Sequence, residues 1–313
     1  MARLISGLDA FPQGQPAPVL TFGNFDGVHL GHRALAAHVI AAAKARNGTS
    51  VLLTFRPLPA KILHPDRAPA LITGYEEKLA LLAGTGVDLV WEVPFDRDFS
   101  DWSAEAFVRA LLVERAGVAH VVLGPDAQFG KGRAGNRALL DRLGPELGFT
   151  VESVAPLRLG EHVASSTLLR RTIAQDGDVV LARALLGRPF TLTGDVVRGH
   201  QRGRLLGFPT ANVRPLGELL PRFGVYACVA RRVTGEAHWA VVNVGKKPTF
   251  GPDDPPTVEA YLLDFTGDLY GERLSLELTD HVRDERRFDS LDALKAQIAD
   301  DVFRTRALLR ARA

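Results

Sequence analysis

The sequence predicts an α/β protein in two parts: an N-terminal domain built on a parallel sheet, and a small C-terminal antiparallel β-barrel with a terminal helix. Up to about residue 183, short apolar runs alternate with helical patterns, which is typical of parallel sheets. After residue 189, strand-like runs follow one another with turns between them, which favours a barrel. A length of 313 residues also suits two domains. We predict domains 1–184 and 185–313.

Five apolar runs in the first part are predicted strands, and four helical patterns separate or follow them. The runs are continuous rather than alternating, as expected for strands buried on both faces of a sheet. The predicted strands are 19–22, 51–55, 87–93, 119–123 and 150–154. The predicted helices are 31–46, 76–83, 104–115 and 136–147. Ligands of such sheets bind beyond the carboxyl ends of the strands.

The second part shows five strand-like runs and one helical pattern. The predicted strands are 190–197, 224–230, 238–244, 258–265 and 273–278. From about Ser290 the spacing predicts a helix that packs on the barrel. Its predicted apolar stripe is Leu291, Leu294, Ile298 and Val302.

Composition narrows the classes of function. The net charge is +2 and no run of Lys or Arg stands out, so nothing indicates a nucleic-acid partner. No apolar run reaches membrane-spanning length and the N-terminus lacks a signal-peptide pattern, so we expect a cytoplasmic protein without a membrane partner. The single cysteine, Cys228, lies in an apolar run, which predicts a buried strand position. The oligomeric state stays open.

The segment TFGNFDGVHLGH at 21–32 follows a predicted strand and opens a predicted helix. His29 and His32 share one helical face, where their rings can donate hydrogen bonds to the phosphates of a nucleotide. Helix N-termini attract phosphate through unpaired N–H groups, and glycines let the backbone approach it. The plain alternative is a strand–turn–helix with two surface histidines. Besides the histidines, the predicted nucleotide-binding residues here are Gly23, Asn24, Phe25, Asp26 and Gly31.

A glycine-rich loop, GPDAQFGKGRAG at 124–135, connects a predicted strand to a predicted helix. Gly130, Gly132 and Gly135 match the G-x-G-x-x-G pattern of dinucleotide sites, and a Gly-Lys pair resembles a Walker loop. Both matches are incomplete, because no Ser or Thr follows the lysine and six residues separate the glycines from the strand. We expect instead a flexible ligand-contacting loop, with Asp126 and Phe129 facing substrate.

Hydroxyl groups cluster at the start of another predicted helix. Ser165, Ser166 and Thr167 can cap that helix, which is the ordinary role of such residues. They can also donate to a phosphate, with Arg170 one turn later adding positive charge. Together with the histidine turn, they predict a clamp for a triphosphate.

In the second part, the loop GRLLGFPTAN at 203–212 combines glycines with oxygen ligands. Gly203, Arg204 and Gly207 belong to a backbone that can approach phosphates closely. The Thr210 hydroxyl and the Asn212 carbonyl are hard oxygen ligands suited to the Mg²⁺ that accompanies ATP. The alternative is a β-turn followed by a capped strand.

A carboxylate, Glu259, lies within an apolar strand pattern. A half-exposed strand glutamate is usually inert, but phosphoryl transfer to a hydroxyl needs a positioned base of this kind. The charged run RDERRF at 283–288 is either solvent face or a flap over substrate. Asn243 opens a strand-end turn that continues through Lys247, Pro248 and Thr249.

In this order, the motifs resemble those of the prokaryotic bifunctional riboflavin kinase/FMN adenylyltransferases, also called bifunctional FAD synthetases. The resemblance covers nearly the whole chain, and the ordered set is far more specific than any single motif. It extends to Gly224-Val225-Tyr226, Pro248-Thr249-Phe250 and Asp268-Leu269-Tyr270-Gly271. It implies a Rossmann-like nucleotidyltransferase domain followed by a riboflavin kinase-like barrel.

The resemblance implies two reactions that consume ATP. In the barrel, riboflavin would take the γ-phosphate to give FMN, with Glu259 as the base and Thr210 and Asn212 holding Mg²⁺ and phosphates. In the N-terminal domain, FMN would attack the α-phosphorus of a second ATP to give FAD and pyrophosphate, with His29 and His32 stabilising charge. Flavins are thus substrates and products. The implied flavin contacts are Asp126, Phe129, Asn243, Arg283, Glu285 and Phe288.

Some positions depart from the family pattern. Leu58 stands where a histidine is usual, Ala127 where an aromatic residue is usual, and Leu168 often has a basic counterpart. His200-Gln201 replaces smaller or acidic residues. Two alternatives follow: a riboflavin kinase with an impaired adenylyltransferase domain, or a non-catalytic flavin or nucleotide sensor. Glu259 argues against the sensor, since binding alone needs no base.

Overall fold

The computed structural model describes residues 2–198, 207–246 and 256–312. Contacts divide the chain into two compact units, Met1–Ser165 and Ser166–Ala313. The predicted domain boundary at 184/185 differs from this division by a helical segment that packs within the second unit. That boundary stays a prediction.

The first unit is built on a sheet of six parallel strands, in the order β1-β4-β3-β2-β5-β6. The strands are β1 (Arg3–Ser6), β2 (Val19–Phe22), β3 (Ser50–Arg56), β4 (Leu89–Pro94), β5 (His120–Leu123) and β6 (Thr150–Ser153). A separate hairpin joins β7 (Arg158–Leu159) to β8 (His162–Val163).

Helices cover both faces of this sheet, so neighbouring residues of β2 and β3 belong to different apolar clusters. Leu20 and Val51 pack in one cluster, and Val19 and Leu52 pack in the other. The helices are α1 (Leu30–Ala45), α2 (Pro59–Leu63), α3 (Tyr75–Ala83), α4 (Arg97–Ser100), α5 (Ala104–Ala106) and α6 (Arg137–Leu147). α5 continues as a π-helical segment, Phe107–Arg115, and 3₁₀ turns lie at Pro65–Arg67 and Lys131–Arg133.

The strand order creates a switch point beside β2. The chain adds β3 and β4 on one side of β2 and then crosses to place β5 on its other side. Loops that leave the carboxyl ends of neighbouring strands diverge at such a point, and the crevice between them is where ligands of open α/β sheets bind. The segment that follows β2 is the one that bears the two histidines.

The second unit combines two helices, a closed barrel and a terminal helix. α7 (Ser166–Arg171) continues as a π-helical segment, Thr172–Asp176, and α8 (Val179–Leu186) leads to the barrel. The barrel strands are β9 (Phe190–Val197), β10 (Ala211–Pro215), β11 (Gly224–Arg232), β12 (Ala237–Gly245), β13 (Thr257–Leu262) and β14 (Arg273–Asp284). They close antiparallel in the order β10-β13-β12-β11-β14-β9, and α9 (Leu291–Arg310) follows.

The predicted fold class is confirmed, and the differences have simple causes. β1 escaped prediction because only Ile5 among its four residues is buried, and β10 because only Val213 is buried. Cys228 is buried on β11 as predicted.

The predicted stripe of α9 is wrong at its first position. Leu291 is 69% exposed, whereas the buried positions of this helix are Asp301, Thr305 and Leu309. Val302 packs on the barrel beside Leu309. The apolar pattern missed Asp301 because its carboxylate is buried through an ion pair with Arg283, whose guanidinium lies at 2.8 Å.

Candidate active sites

His29 fixes the start of α1 at the carboxyl end of the central strand β2. It is the N-cap residue of the helix, and its Nδ1 accepts a hydrogen bond from the His32 amide at 3.3 Å. The amides at a helix N-terminus lack partners within the helix and attract anions. The structure therefore brings an imidazole and a helix N-terminus to one point, as the sequence predicted.

The two histidine rings are stacked on each other. Their centroids lie 3.6 Å apart at 18°, and the Phe25 ring meets His32 edge-on at 5.2 Å. His29 is buried, and His32 is half-buried with its Nδ1 enclosed. Within the described part of the chain, that Nδ1 has no hydrogen-bond partner.

The surroundings of His32 favour its neutral form. Burial lowers the pKa of His32 well below its ordinary value, and the nearby His29 and Lys78 lower it further. A neutral imidazole carries one N–H donor and one acceptor. It can therefore donate to a phosphate oxygen and gain a proton as negative charge accumulates beside it.

The turn between β2 and α1 is strained and is held from outside. Phe25 and Val28 adopt positive φ of 49° and 40°, which is rare for residues other than glycine. The Asp26 carboxylate is buried and accepts hydrogen bonds from the amides of Ile72 and Thr73. Asp26 thus fastens the turn to a neighbouring loop, a structural contribution that spacing alone did not indicate.

Gly31 lets another segment approach the helix N-terminus. A β-carbon at Gly31 would lie 3.1 Å from the His29 ring and 3.2 Å from the Ala164 carbonyl oxygen. Ser165, a predicted phosphate ligand, directly follows Ala164. Ser166, Thr167 and Arg170 belong to α7 of the second unit, where Ser166 begins the helix as predicted.

A cavity of about 780 Å³ lies at the carboxyl ends of the strands of the first unit. The predicted residues Gly23, Asn24, Asp126 and Phe129 all line it, so the loops after β2 and β5 do meet. Aromatic rings that the sequence did not single out supply much of the wall: Phe55, Phe95, Phe99 and Trp102. Charged and titratable groups also line it, and two of them, Lys131 and Asp101, form an ion pair at 2.7 Å. The others are His64, Arg97, Asp126 and Arg133.

The glycine-rich loop after β5 is more firmly tied than predicted. Phe129 and Gly135 form an isolated antiparallel bridge, and a β-carbon at Gly135 would lie 2.5 Å from the Phe129 ring. Phe129 is buried between Phe22 and Phe107, with ring centroids at 5.3 and 5.2 Å. The glycines of the G-x-G-x-x-G pattern thus serve the shape of this loop.

Two of the positions that depart from the family pattern lie around this cavity. Leu58 is buried at the start of α2, beside the cavity-lining Pro59, and its amide donates to the Tyr75 hydroxyl of α3 at 3.0 Å. Ala127 lines the cavity, where its small side chain leaves room. Neither position alters the stacked histidines.

In the barrel, the strand register aligns three polar side chains. Glu259 on β13 pairs directly with Asn212 on β10 and with Asn243 on β12. Residues directly opposite each other on antiparallel strands share a face, with β-carbons about 5 Å apart. All three are half-buried, while the alternate residues Val258 and Ala260 fill the barrel interior. The register thus places a carboxylate between two amides.

Thr210 lines a second cavity, of about 550 Å³, in the barrel. Asp268, Leu269 and Tyr270, from a motif that carried the family resemblance, line the same cavity. Gly207 is described and adopts a positive φ of 86°. Gly203, Arg204, His200-Gln201, Lys247 and Pro248-Thr249-Phe250 lie outside the described residues.

The run 283–288 divides into structural and cavity-lining residues. Arg283 donates from Nε and one terminal nitrogen to Asp301, and from the other nitrogen to the Asp284 carbonyl. Each of its nitrogens is therefore engaged within the protein, and its assignment as a flavin contact stays a prediction. Its guanidinium also lies 5.7 Å from the centre of the Phe288 ring.

Glu285 lines a third cavity, of about 610 Å³, and lies against Gly245. A β-carbon at Gly245 would collide with its carboxylate, so glycine is needed there. Burial raises the pKa of Glu285, while a hydrogen bond to the Lys246 backbone and the charge of Arg283 oppose that rise.

Two family models match successive parts of the chain. The model described as FAD synthetase matches residues 12–168, and the model described as riboflavin kinase matches residues 186–309.

Proteins named bifunctional riboflavin kinase/FMN adenylyltransferase match almost the full length. The protein of Escherichia coli strain K12 is 41% identical over 300 residues, covering 96% of this chain and 95% of the relative. That of Pseudomonas fluorescens is 39% identical over 306 residues, covering 98% of this chain and 97% of the relative. That of Haemophilus influenzae is 37% identical over 300 residues, covering 96% and 97%.

A crystal structure described as a macrolide-efflux protein from Streptococcus pneumoniae matches with a TM-score of 0.86 and 30% identity, over 97% of this chain and 98% of that one. That description names a different activity from the sequence relatives, whose names agree with both family models. In the described residues, no helix is both long and apolar enough to cross a membrane.

We expect His32 to remain neutral at pH 6.5, where a histidine in a model peptide is about half protonated. Burial and the neighbouring His29 and Lys78 disfavour the imidazolium. Nitrogen–proton correlation spectra of the imidazoles, titrated from pH 8 to pH 5 and assigned with His32→Gln, measure this directly. A His32 ring that titrates at or above pH 6.5 without nucleotide contradicts the expectation. Because the unfolded chain binds this proton more readily, the group also lowers the free energy of unfolding as the pH falls below about 6.5.

Proposed function

The chain belongs to the family of bifunctional riboflavin kinases/FMN adenylyltransferases, and from this we propose that its two sites divide the two reactions between them. The protein phosphorylates riboflavin to FMN and adenylylates FMN to FAD. The observation that carries the assignment is the ordered match of both family models on a chain whose relatives align over nearly their whole length.

In the barrel, we assign Glu259 as the general base of the kinase reaction. It takes the proton of the riboflavin 5′-hydroxyl as that oxygen attacks the γ-phosphorus of ATP, and the bond to the bridging oxygen breaks to release ADP. Support comes from the register, which places Glu259 between Asn212 and Asn243. Those amides can orient the carboxylate and the substrates without a covalent intermediate.

The donor set of the barrel fits a magnesium ion that arrives with ATP. Mg²⁺ usually takes few protein ligands and completes its shell with phosphates and water. Within the described ranges, no three His, Cys, Asp or Glu side chains gather as a metal site. As proposed from the sequence, Thr210 and Asn212 would hold the ion through a hydroxyl and an amide oxygen. The ion, when bound, would neutralise phosphate charge.

In the first unit, we assign the stacked histidines to adenylyl transfer. An FMN phosphate oxygen attacks the α-phosphorus of ATP, the bond to the β-phosphate breaks, and pyrophosphate leaves. His29, His32 and the first amides of α1 stabilise the negative charge that develops on the transferred phosphate. Gly23, Asn24, Phe25 and Gly31 shape the backbone around it. Ser165, Ser166, Thr167 and Arg170 remain proposed ligands of the triphosphate.

The aromatic cavity of the first unit is the proposed flavin site for this step. Apolar rings suit the isoalloxazine system, and the guanidinium groups of Arg97 and Arg133 suit the FMN phosphate. Asp126 and Phe129 are its proposed flavin contacts from the sequence. In the barrel, the proposed riboflavin contacts are Asn243, Arg283, Glu285 and Phe288. The pair of Arg283 with Asp301 would hold its guanidinium 5.7 Å from the centre of the Phe288 ring.

Neither alternative function is supported. The departures at Leu58 and Ala127 leave the stacked histidines in place, so they give no sign of a lost adenylyltransferase site. A pure sensor has no use for a carboxylate aligned between two amides. We keep 1–184 and 185–313 as the proposed domains, and since both reactions consume ATP we propose a cytoplasmic location. No nucleic acid or membrane partner is proposed.

Glu259→Ala should lower the rate of FMN formation from riboflavin by about a hundredfold or more, because the acceptor hydroxyl loses its base. FMN supplied directly should still become FAD at the native rate. Chromatographic assays with each flavin measure both steps in one preparation. Glu259→Gln, which keeps size and hydrogen bonding, should behave like Glu259→Ala. Simultaneous loss of both reactions in a folded variant contradicts the two-site assignment.

His29→Ala should do the reverse and lower FAD formation from FMN by about a hundredfold, because an electrostatic contact to the transferred phosphate is lost. FMN formation should be unaffected. The substitution also removes an N-cap, so His29→Asn, which can still cap α1, separates the two roles. His38→Ala, at an exposed position of α1, is the matched control. If His29→Asn makes FAD at the native rate, the His29 imidazole has no role in the reaction.

A further inference from the structure

Lys78 in α3 is a buried lysine that no sequence motif singled out. Its ammonium donates to the Thr54 hydroxyl at 3.0 Å, the Phe55 carbonyl at 3.1 Å and the Asn24 carbonyl at 3.4 Å. An ammonium has three N–H donors, and here it meets three acceptors. Lys78 therefore directs its full hydrogen-bonding capacity into the protein interior.

These acceptors lie at the ends of two central strands. Thr54 and Phe55 are near the carboxyl end of β3, and Asn24 is two residues beyond β2. Asn24 also begins the turn that holds Phe25 and Val28 at positive φ before α1. Its carbonyl accepts a second bond, from the Thr54 hydroxyl at 3.3 Å. One ammonium thus ties the start of the histidine turn to the neighbouring strand.

The three oxygens that accept from the Lys78 ammonium are neutral: two backbone carbonyls and one hydroxyl. Burial lowers the pKa of Lys78 to about 8, while the buried carboxylates of Glu92 and Asp26 oppose that fall. The charged and titratable groups facing it are Glu92 of β4, Asp26 of the turn, Arg56 of β3, Tyr75 of α3 and His32 of α1.

We propose that Lys78 is a positioning residue for adenylyl transfer, whose ammonium fastens the histidine turn to β3 so that both imidazoles meet the phosphates. This inference rests on the proposed function. A neutral amine offers only two N–H donors and turns a lone pair toward the third acceptor, so deprotonation weakens the fastening. The rate of adenylyl transfer should therefore decline above about pH 8. The kinase reaction of the same chain does not depend on Lys78, so this decline should be absent from it.

Lys78→Met, nearly isosteric and uncharged, is the principal test, and Lys44→Met at an exposed position of α1 is its control. At pH 7, Lys78→Met should lower kcat/KM for FMN by about a hundredfold, as expected when a reacting group shifts by about 1 Å. Riboflavin phosphorylation should stay native. Lys78→Arg, which keeps its charge throughout, covers the case in which the methionine variant fails to fold.

Two readouts distinguish positioning from mere structural support. The fall in native kcat/KM above about pH 8 should disappear in Lys78→Arg, because arginine does not deprotonate in that range. In Lys78→Met the pKa of His32 should rise, since a nearby positive charge that disfavours the imidazolium has been removed.

The outcomes separate the two levels of inference. If the native protein makes no FAD from FMN, the proposed function fails and the role of Lys78 fails with it. If the native protein does so but Lys78→Met matches Lys44→Met, only the inference about Lys78 is overturned. It is also overturned if Lys78→Arg keeps the alkaline decline, or if Lys78→Met leaves the pKa of His32 unchanged.

Discussion

The hydrogen bond from the His32 amide to Nδ1 of His29 is the contact on which the first site depends. It caps α1, stacks one imidazole on the other and sets the helix N-terminus at the end of β2. The turn that permits this is strained at Phe25 and Val28, and such strain persists only where the surroundings enforce it. Asp26 enforces it from one side through backbone amides, and Lys78 from the other through the Asn24 carbonyl. The fold thus holds in place the imidazoles and the helix N-terminus that we propose as the groups stabilising charge at phosphorus.

The barrel also fixes the positions of its proposed site residues, but it does so through strand register. No helix terminus is needed, because closure of six antiparallel strands fixes the register and so fixes Glu259 between Asn212 and Asn243. Closure also removes free strand edges, which leaves the polar row as part of a rigid wall. The pair of Arg283 with Asp301 then anchors the segment before Glu285 and Phe288 to α9. The proposed base Glu259 and the proposed metal ligand Asn212 lie on strands, and Thr210 directly precedes β10. Two of the proposed flavin contacts, Glu285 and Phe288, lie on the segment after β14.

Features formed within one short stretch of sequence could be predicted, whereas contacts between residues far apart in the sequence could not. The spacing of His29 and His32, the hydroxyl at the start of α7 and the five apolar runs of the sheet are short-range signals, and the structure contains each of them. β1 and β10 bury too few side chains to produce such a signal. The alignment of Asn212 with Glu259 depends on strand register. The hydrogen bonds of Arg283 depend on Asp301, which lies 18 residues later on α9. The aromatic cavity and Lys78 draw on several strand ends at once, so no single stretch of sequence reveals them.

The central claim is that one chain holds two separate sites, with the barrel site making the FMN that the site of the first unit consumes. An equimolar mixture of the Glu259→Ala and His29→Asn proteins, given riboflavin, ATP and Mg²⁺, tests this most directly. Each protein lacks one reaction, so neither alone should yield FAD. Chromatography of the mixture should show FMN rising first and FAD following, as FMN released by one protein is adenylylated by the other. A mixture that accumulates FMN without FAD, although each variant retains its own single reaction, would contradict the account.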